Sequence, residues 1–147
     1  WRAEGGLTTN NYITNKDDKT GVLSAESPEE TGEVVAQEAQ RLWQGQAVPP
    51  LLTSFRPESL EGARSTAPQL PRGLLLETLS DGWLDTALGL DCVAVICNHE
   101  HWTAKATAQT RRVGLRTLAY TVNEPADVAR LDFAWCEAFS SRSFIVS

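Results

Sequence analysis

Apolar residues recur along this chain in two alternating rhythms, helical and strand-like, and the alternation is regular from Ser27 onward. In "SPEETGEVVAQEAQRLWQG", residues 27–45, Val35, Ala39 and Leu42 fall at i, i+4 and i+7. Ser27 suits the N-cap, Pro28 the first helical position, Glu30 completes a Ser-x-x-Glu capping box, and Gly45 is the stop. A short strand is expected at "LLTSF", 51–55, after the "VPP" break. Pro57 then opens a helix with Leu60, Ala63 and Ala67 on one face, closed by Pro68. "RGLLLE", 72–77, reads as a strand, Trp83–Leu88 as a helix, and "CVAVICN", 92–98, as a strand apolar on both faces. Thr103–Val113 reads as a helix stopped by Gly114; Arg116–Val122 is a strand that runs directly into a helix from Glu124 to Leu131.

The order α-β-α-β-α-β-α-β-α with short connections predicts parallel βαβ units with right-handed crossovers. Both a doubly wound sheet and part of a (β/α)₈ barrel satisfy it. Residues 1–25, including "GGLTTNNYITNKDDKTG", are polar and lack periodicity, so they are expected to be an irregular lead-in to one domain over 26–147. The last stretch, "DFAWCEAFSSRSFIVS", has room for one more strand but a poor pattern for it.

Composition narrows the classes. The chain has 147 residues, enough for one domain with a core, and a formal charge of −6, which argues against nucleic-acid binding. "CVAVIC" is far too short to span a bilayer, and no signal segment opens the chain. Trp1 rather than Met at the start points to a fragment, a processed product or an excised piece. Three cysteines leave one over from any disulfide framework, which favours a reducing, cytoplasmic setting.

Candidate chemistry is sparse. On a strand, Cys97, His99 and His101 would share a face with Cys92 opposite, yet this is not a standard zinc spacing, and core cysteines with rim histidines are the preferred reading. There is no Gly-x-Ser-x-Gly elbow, Walker loop, Gly-x-Gly-x-x-Gly or paired-cysteine motif. Glu77 ends an apolar strand as a barrel ligand would, but one carboxylate does not make a Mg²⁺ or Ca²⁺ cage. Tyr120 shares a face with Leu118 and Val122 and is explained as a core aromatic; Asn123 is explained as a helix N-cap.

Two blocks change that picture. "ETGEVVAQEAQRLWQGQAVPPLLTSFRPESLEGARSTAPQLPRGLLLE" and "LRTLAYTVNEPADVARL" resemble the C-terminal half of a bacterial glycerophosphodiester phosphodiesterase, of the cytosolic type associated with glycerol-phosphate uptake. The resemblance implies a partial (β/α)₈ TIM barrel, about strands four to seven of eight, with parallel strands and outer helices. It implies hydrolysis of glycerophosphodiesters to an alcohol and glycerol 3-phosphate, with a divalent cation (Mg²⁺ or Ca²⁺) and a histidine pair. It also implies that Phe55, Tyr120 and Asn123 sit at the C-terminal rim of the barrel, close to the substrate. The family's His-Arg-Gly, Glu-x-Asp, His-Asp and Glu-x-Lys-Pro motifs are absent from these 147 residues. The metal-binding Glu and the Lys would fall near Thr20 and Val22, and Ser140 and Ser141 stand where a Thr-Asp is expected. No catalytic residue and no metal ligand is therefore assigned, and the chain is expected to be inactive alone. The alternative is a non-catalytic binding remnant that forms homo-oligomers through open sheet edges.

Overall fold

The computed structural model describes residues 12–15, 27–122, 124–133 and 137–140. Among these residues six strands and five helices alternate: β1 (Tyr12–Asn15), α1 (Pro28–Leu42), β2 (Leu51–Ser54), α2 (Pro57–Thr66), β3 (Arg72–Leu76), α3 (Trp83–Gly89), β4 (Ala94–Asn98), α4 (Ala104–Arg112), β5 (Arg116–Val122), α5 (Pro125–Phe133) and β6 (Glu137–Ser140). A 3₁₀ turn, His99–His101, follows β4. Two of the strands extend the expected order. β1 lies inside the polar lead-in and pairs in parallel with β2, Tyr12 opposite Leu51; β6 pairs with β5, Leu118 opposite Glu137.

The local signals hold at most boundaries. Ser27 Oγ accepts from the Glu30 N–H at 3.2 Å, and Thr103 Oγ1 from the Ala106 N–H at 3.2 Å, satisfying orphan donors at the starts of α1 and α4. Gly45 and Gly114 follow α1 and α4 with φ of 81° in each case, a region glycine enters without steric cost. One apolar face differs from expectation. Gly32, Val35, Ala36 and Ala39 form the buried stripe of α1, while Leu42 is 48% exposed. The stripe is small because α1 and α2 approach closely: a Cβ on Gly32 would sit 1.8 Å from the Ser59 carbonyl oxygen, and one on Gly62 2.0 Å from that of Glu29. The Ser59 hydroxyl fastens the crossing by donating to the Pro28 carbonyl at 2.7 Å.

The strand order is β1-β2-β3-β4-β5-β6, all parallel. Such an order has no point where the winding reverses, so right-handed crossovers put successive helices on the same face. The core agrees. Leu60 of α2, Ala87 of α3, Ala106 of α4 and Leu131 of α5 pack with the outward residues Leu74, Val95, Cys97 and Ala119. Val35, Ala36 and Ala39 of α1 pack with Leu52, Ala63 and Leu70. The other face carries a cluster made from strand residues and the residue after β2 alone: Leu75, Ala94, Ile96 and Leu118, flanked by Leu51, Phe55 and Tyr120. Helices on one face and a strand-lined layer on the other make this a section of a (β/α)₈ barrel wall, and the doubly wound alternative falls.

At the base of the wall Arg72 is almost fully buried. Its guanidinium donates to the carbonyls of Leu70 at 2.8 Å, Pro68 at 3.2 Å, Leu90 at 3.2 Å and Asp91 at 3.4 Å. These oxygens follow the C-terminal ends of α2 and α3, where carbonyls lack helical partners and a cation is favoured.

Candidate functional site

Register places the inward side chains in layers. Thr53, Gly73, Ala94 and Arg116 stand side by side, and Leu75, Ile96 and Leu118 form the next layer up. Glycine at 73 leaves room for the Ile96 side chain in the lower layer, since a Cβ there would lie 2.6 Å from Ile96 Cδ1 and 3.3 Å from Thr53 Cγ2. One step further, at the C-terminal ends of the strands, come Asn98 and its partner Tyr120, with Glu77 following β3 and Phe55 following β2. This is the end at which parallel α/β folds expose their chemistry.

Phe55 and Tyr120 meet there. Their ring centroids are 6.3 Å apart with planes at 88°, an edge-to-face pair. Three inter-strand spacings of a flat sheet separate β2 from β5 by about 14 Å. The contact therefore depends on the concave curl of the wall. The Tyr120 hydroxyl crosses β4 to donate to the Leu76 carbonyl at 2.8 Å. Burial, then the nearby Cys97 and Glu77, push its pKa up to about 12, so the phenol is a hydrogen-bonding group and not a base near neutral pH. The expected companionship of Tyr120 with Val122 does not survive. The β5–β6 register shifts between Ala119 and Val122, and Val122 turns to the helix-side core beside Cys97 and Leu131. Asn123 lies outside the described residues, as do Thr20, Val22 and Ser141.

The cysteine–histidine constellation comes apart. β4 ends at Asn98, so the two-residue parity that would align Cys97 with His99 and His101 is lost in the 3₁₀ turn. Cys92 and Cys97 share the helix-side core; they do not face opposite ways. Burial pushes the Cys92 thiol up to about 12 and the Cys97 thiol to about 11, which suits inert core residues.

His99 is drawn instead toward α5. Arg130 Nη2 donates to the His99 carbonyl at 2.7 Å and lies 3.3 Å from His99 Nδ1, while Nη1 donates to the Trp102 carbonyl at 3.2 Å. Asp127 Oδ1 is 3.7 Å from both His99 Nδ1 and Arg130 Nε. The indole of Trp102 donates to the Leu118 carbonyl at 2.8 Å and packs edge-to-face on Trp83 at 6.1 Å. The sequence pattern did not single out Arg130 or Asp127. Their i, i+3 spacing was visible, but the carbonyls that Arg130 grips lie 28 and 31 residues away.

A divalent cation needs several hard oxygen ligands. Among the described residues, no group of three His, Cys, Asp or Glu side chains is placed to hold one, and Glu77 stands exposed at the rim. The described part of the rim thus does not fit a cation cage, and what it offers is aromatic and hydrogen-bonding surface. No described helix is long and apolar enough to cross a membrane.

Known proteins agree with this architecture. A protein of Oleispira antarctica, a phosphodiesterase solved with the product sn-glycerol-3-phosphate, superposes with a TM-score of 0.69 at 23% identity, over 78% of this chain and 46% of its own. A Silicibacter pomeroyi protein described as a glycerophosphoryl diester phosphodiesterase gives 0.67 at 20% identity, over 78% and 41%. One from Galdieria sulphuraria, described as a glycerophosphodiester phosphodiesterase, gives 0.71 at 13% identity, over 90% and 53%. The chain spans about half the length of these structures, and at such identities they show the fold. No curated protein matches the sequence significantly. The model of the glycerophosphoryl diester phosphodiesterase family matches residues 12–140, nearly the whole chain. This chain belongs to the glycerophosphoryl diester phosphodiesterase family.

Proposed function

We propose that this chain carries the substrate-binding rim of a glycerophosphodiester phosphodiesterase, and that its role is to hold the glycerol 3-phosphate portion of a glycerophosphodiester during hydrolysis to that product and an alcohol. The observation that carries the reading is the Phe55–Tyr120 pair at the C-terminal end of the wall, held by the Tyr120–Leu76 hydrogen bond. An apolar edge beside polar groups suits the glycerol backbone next to a phosphate. The neighbour from Oleispira antarctica, solved with sn-glycerol-3-phosphate, makes that ligand the natural probe. Asn123 is part of the proposed rim as the residue that follows Val122.

Chemistry in this reading needs groups that the 147 residues do not bring. They contain none of the family's four histidine, arginine and carboxylate motifs, and the described rim offers no cation cage. Turnover by the isolated chain is therefore not expected, and the Mg²⁺ or Ca²⁺ of the family would be held elsewhere in a complete enzyme. A cytoplasmic setting belongs to the same reading, supported by the free thiols of Cys92 and Cys97.

Titration of the chain with glycerol 3-phosphate, followed by NMR, tests the binding role. Resonances of Phe55 and Tyr120 should shift, and Tyr120→Ala should weaken binding roughly tenfold, the loss of one half-buried aromatic contact and its hydrogen bond. A coupled glycerol 3-phosphate release assay with Mg²⁺ or Ca²⁺ tests the second part. Chelator-sensitive turnover by this chain alone would show that the catalytic groups are present after all.

A further inference from the structure

Arg130 and His99 belong to segments 31 residues apart, yet their side chains meet over the C-terminal edge of the sheet. A guanidinium has no acceptor, so the 3.3 Å approach of Arg130 Nη2 to His99 Nδ1 requires Nδ1 to accept. In the neutral ring the proton is then on Nε2. The competing arrangement, Nδ1–H donated to Asp127, spans 3.7 Å and lies beyond hydrogen-bond range. Arg130 is not free to turn away, because the same guanidinium is anchored to the His99 and Trp102 carbonyls at 2.7 and 3.2 Å and lies beside Asp127. The ring has little freedom either: the His99 side chain is only 18% exposed.

The turn that carries His99 stands beside the rim. Asn98, which immediately precedes His99, is the register partner of Tyr120 on the rim. Asn98 Oδ1 accepts from the Glu100 N–H at 3.1 Å, closing the turn that carries the histidine. Among the described residues Nε2 has no partner. A ring in fixed tautomer offers one donor and no acceptor, which matches a phosphoryl oxygen and excludes a role as general base through that nitrogen.

We propose that Arg130 is a positioning residue that fixes His99 as the Nε2–H tautomer, and that His99 thereby donates a hydrogen bond to a phosphoryl oxygen of the ligand at the rim. This rests on the rim-binding reading above and adds a contact to it. The full chain with ¹⁵N-labelled histidine, at about pH 8.5 where an ordinary imidazole is neutral, gives a direct readout. His99 should show a single Nε2–H pattern, with His101 as the internal reference, and Arg130→Met should return His99 to a mixture of tautomers. With glycerol 3-phosphate as the probe, the His99 Nε2 resonance should move. His99→Phe should weaken binding roughly tenfold, while His99→Gln, which keeps a donor, should stay within about threefold. Both tautomers at His99 in the parent chain would overturn the clamp. Ligand shifts at Phe55 and Tyr120 that leave His99 Nε2 unmoved would overturn the donor role and leave the rim reading standing. No ligand shift anywhere, with His99 held as Nε2–H, would sink the rim reading and the donor role with it.

Discussion

Arg72 is a buried cation whose direct partners are carbonyls, and that makes it more than a charge. Its fork serves four oxygens, at Pro68, Leu70, Leu90 and Asp91, which the turns after α2 and α3 leave without helical donors. Arg72→Met should therefore destabilise the chain by roughly 3 kcal/mol, the cost of buried acceptors left unmet. Arg72→Lys should recover little of this, since a single ammonium cannot reproduce the fork. Urea unfolding of both variants checks the pair, and full rescue by lysine would show that the charge alone matters. Tyr120 was legible as a strand aromatic and, through the family resemblance, as a rim residue. Its contacts with Leu76 and with Phe55, itself placed at the rim by the same resemblance, were not legible, because they depend on the curl of four strands. Removing only the hydroxyl, Tyr120→Phe, should cost about 1 kcal/mol in the same experiment and leave the Phe55 contact in place.

Between elements, the α1–α2 crossing is set by two glycines. Gly62→Ala places a methyl 2.0 Å from the Glu29 carbonyl oxygen, a rigid backbone atom, so the helices must separate. A loss of about 2 to 3 kcal/mol is expected from this overpacking. Gly89→Ala is the control: a Cβ there meets nothing within 4 Å, and the exposed last turn of α3 should gain up to about 1 kcal/mol in helix propensity. Thermal melts of the two variants should move in opposite directions. Equal losses would mean that glycine is needed at both sites for backbone reasons. Helix starts and stops were readable because caps act within four residues. The short strand β1 was not, since "YITN" sits in a polar stretch and gains its order from pairing with β2. Strand propensity of this kind is decided by neighbours more than by the residue itself.

At the scale of the whole molecule, three acidic groups among the described residues share one consequence of burial. Cys92 and Cys97 are raised from 9.0 to about 12 and about 11, and Tyr120 from 10.0 to about 12. Between the ordinary and the raised values, the unfolded chain has lost these protons and the folded chain keeps them. The unfolded state then binds fewer protons, and stability falls as pH rises. Stability against urea should be flat with respect to these groups up to about pH 8 and should decline above about pH 9, each fully engaged group contributing about 1.4 kcal/mol per pH unit. Cys92→Ala should flatten part of that slope; an unchanged slope would show that the thiol ionises freely in the folded chain. The wall also has two edges: β1 and β6 each pair on one side only among the described residues. Sedimentation over a range of micromolar concentrations should accordingly show association, whereas a monomer throughout would mean that those edges are covered.

The order of helices and strands from α1 to α5, the caps of α1 and α4 and the family were determined by the chain itself, because periodicity, capping chemistry and motif spacing are local properties. The strand-lined inner face, implied by the family resemblance but not by the local pattern, was decided in three dimensions. The local pattern allowed helices on either side of the sheet, and the monotonic strand order with right-handed crossovers selects one. The rim was decided in the same way. Phe55 meets Tyr120 through curvature, Val122 leaves their face through a register shift, and His99 meets Arg130 because parallel strands bring the ends of distant segments to one edge.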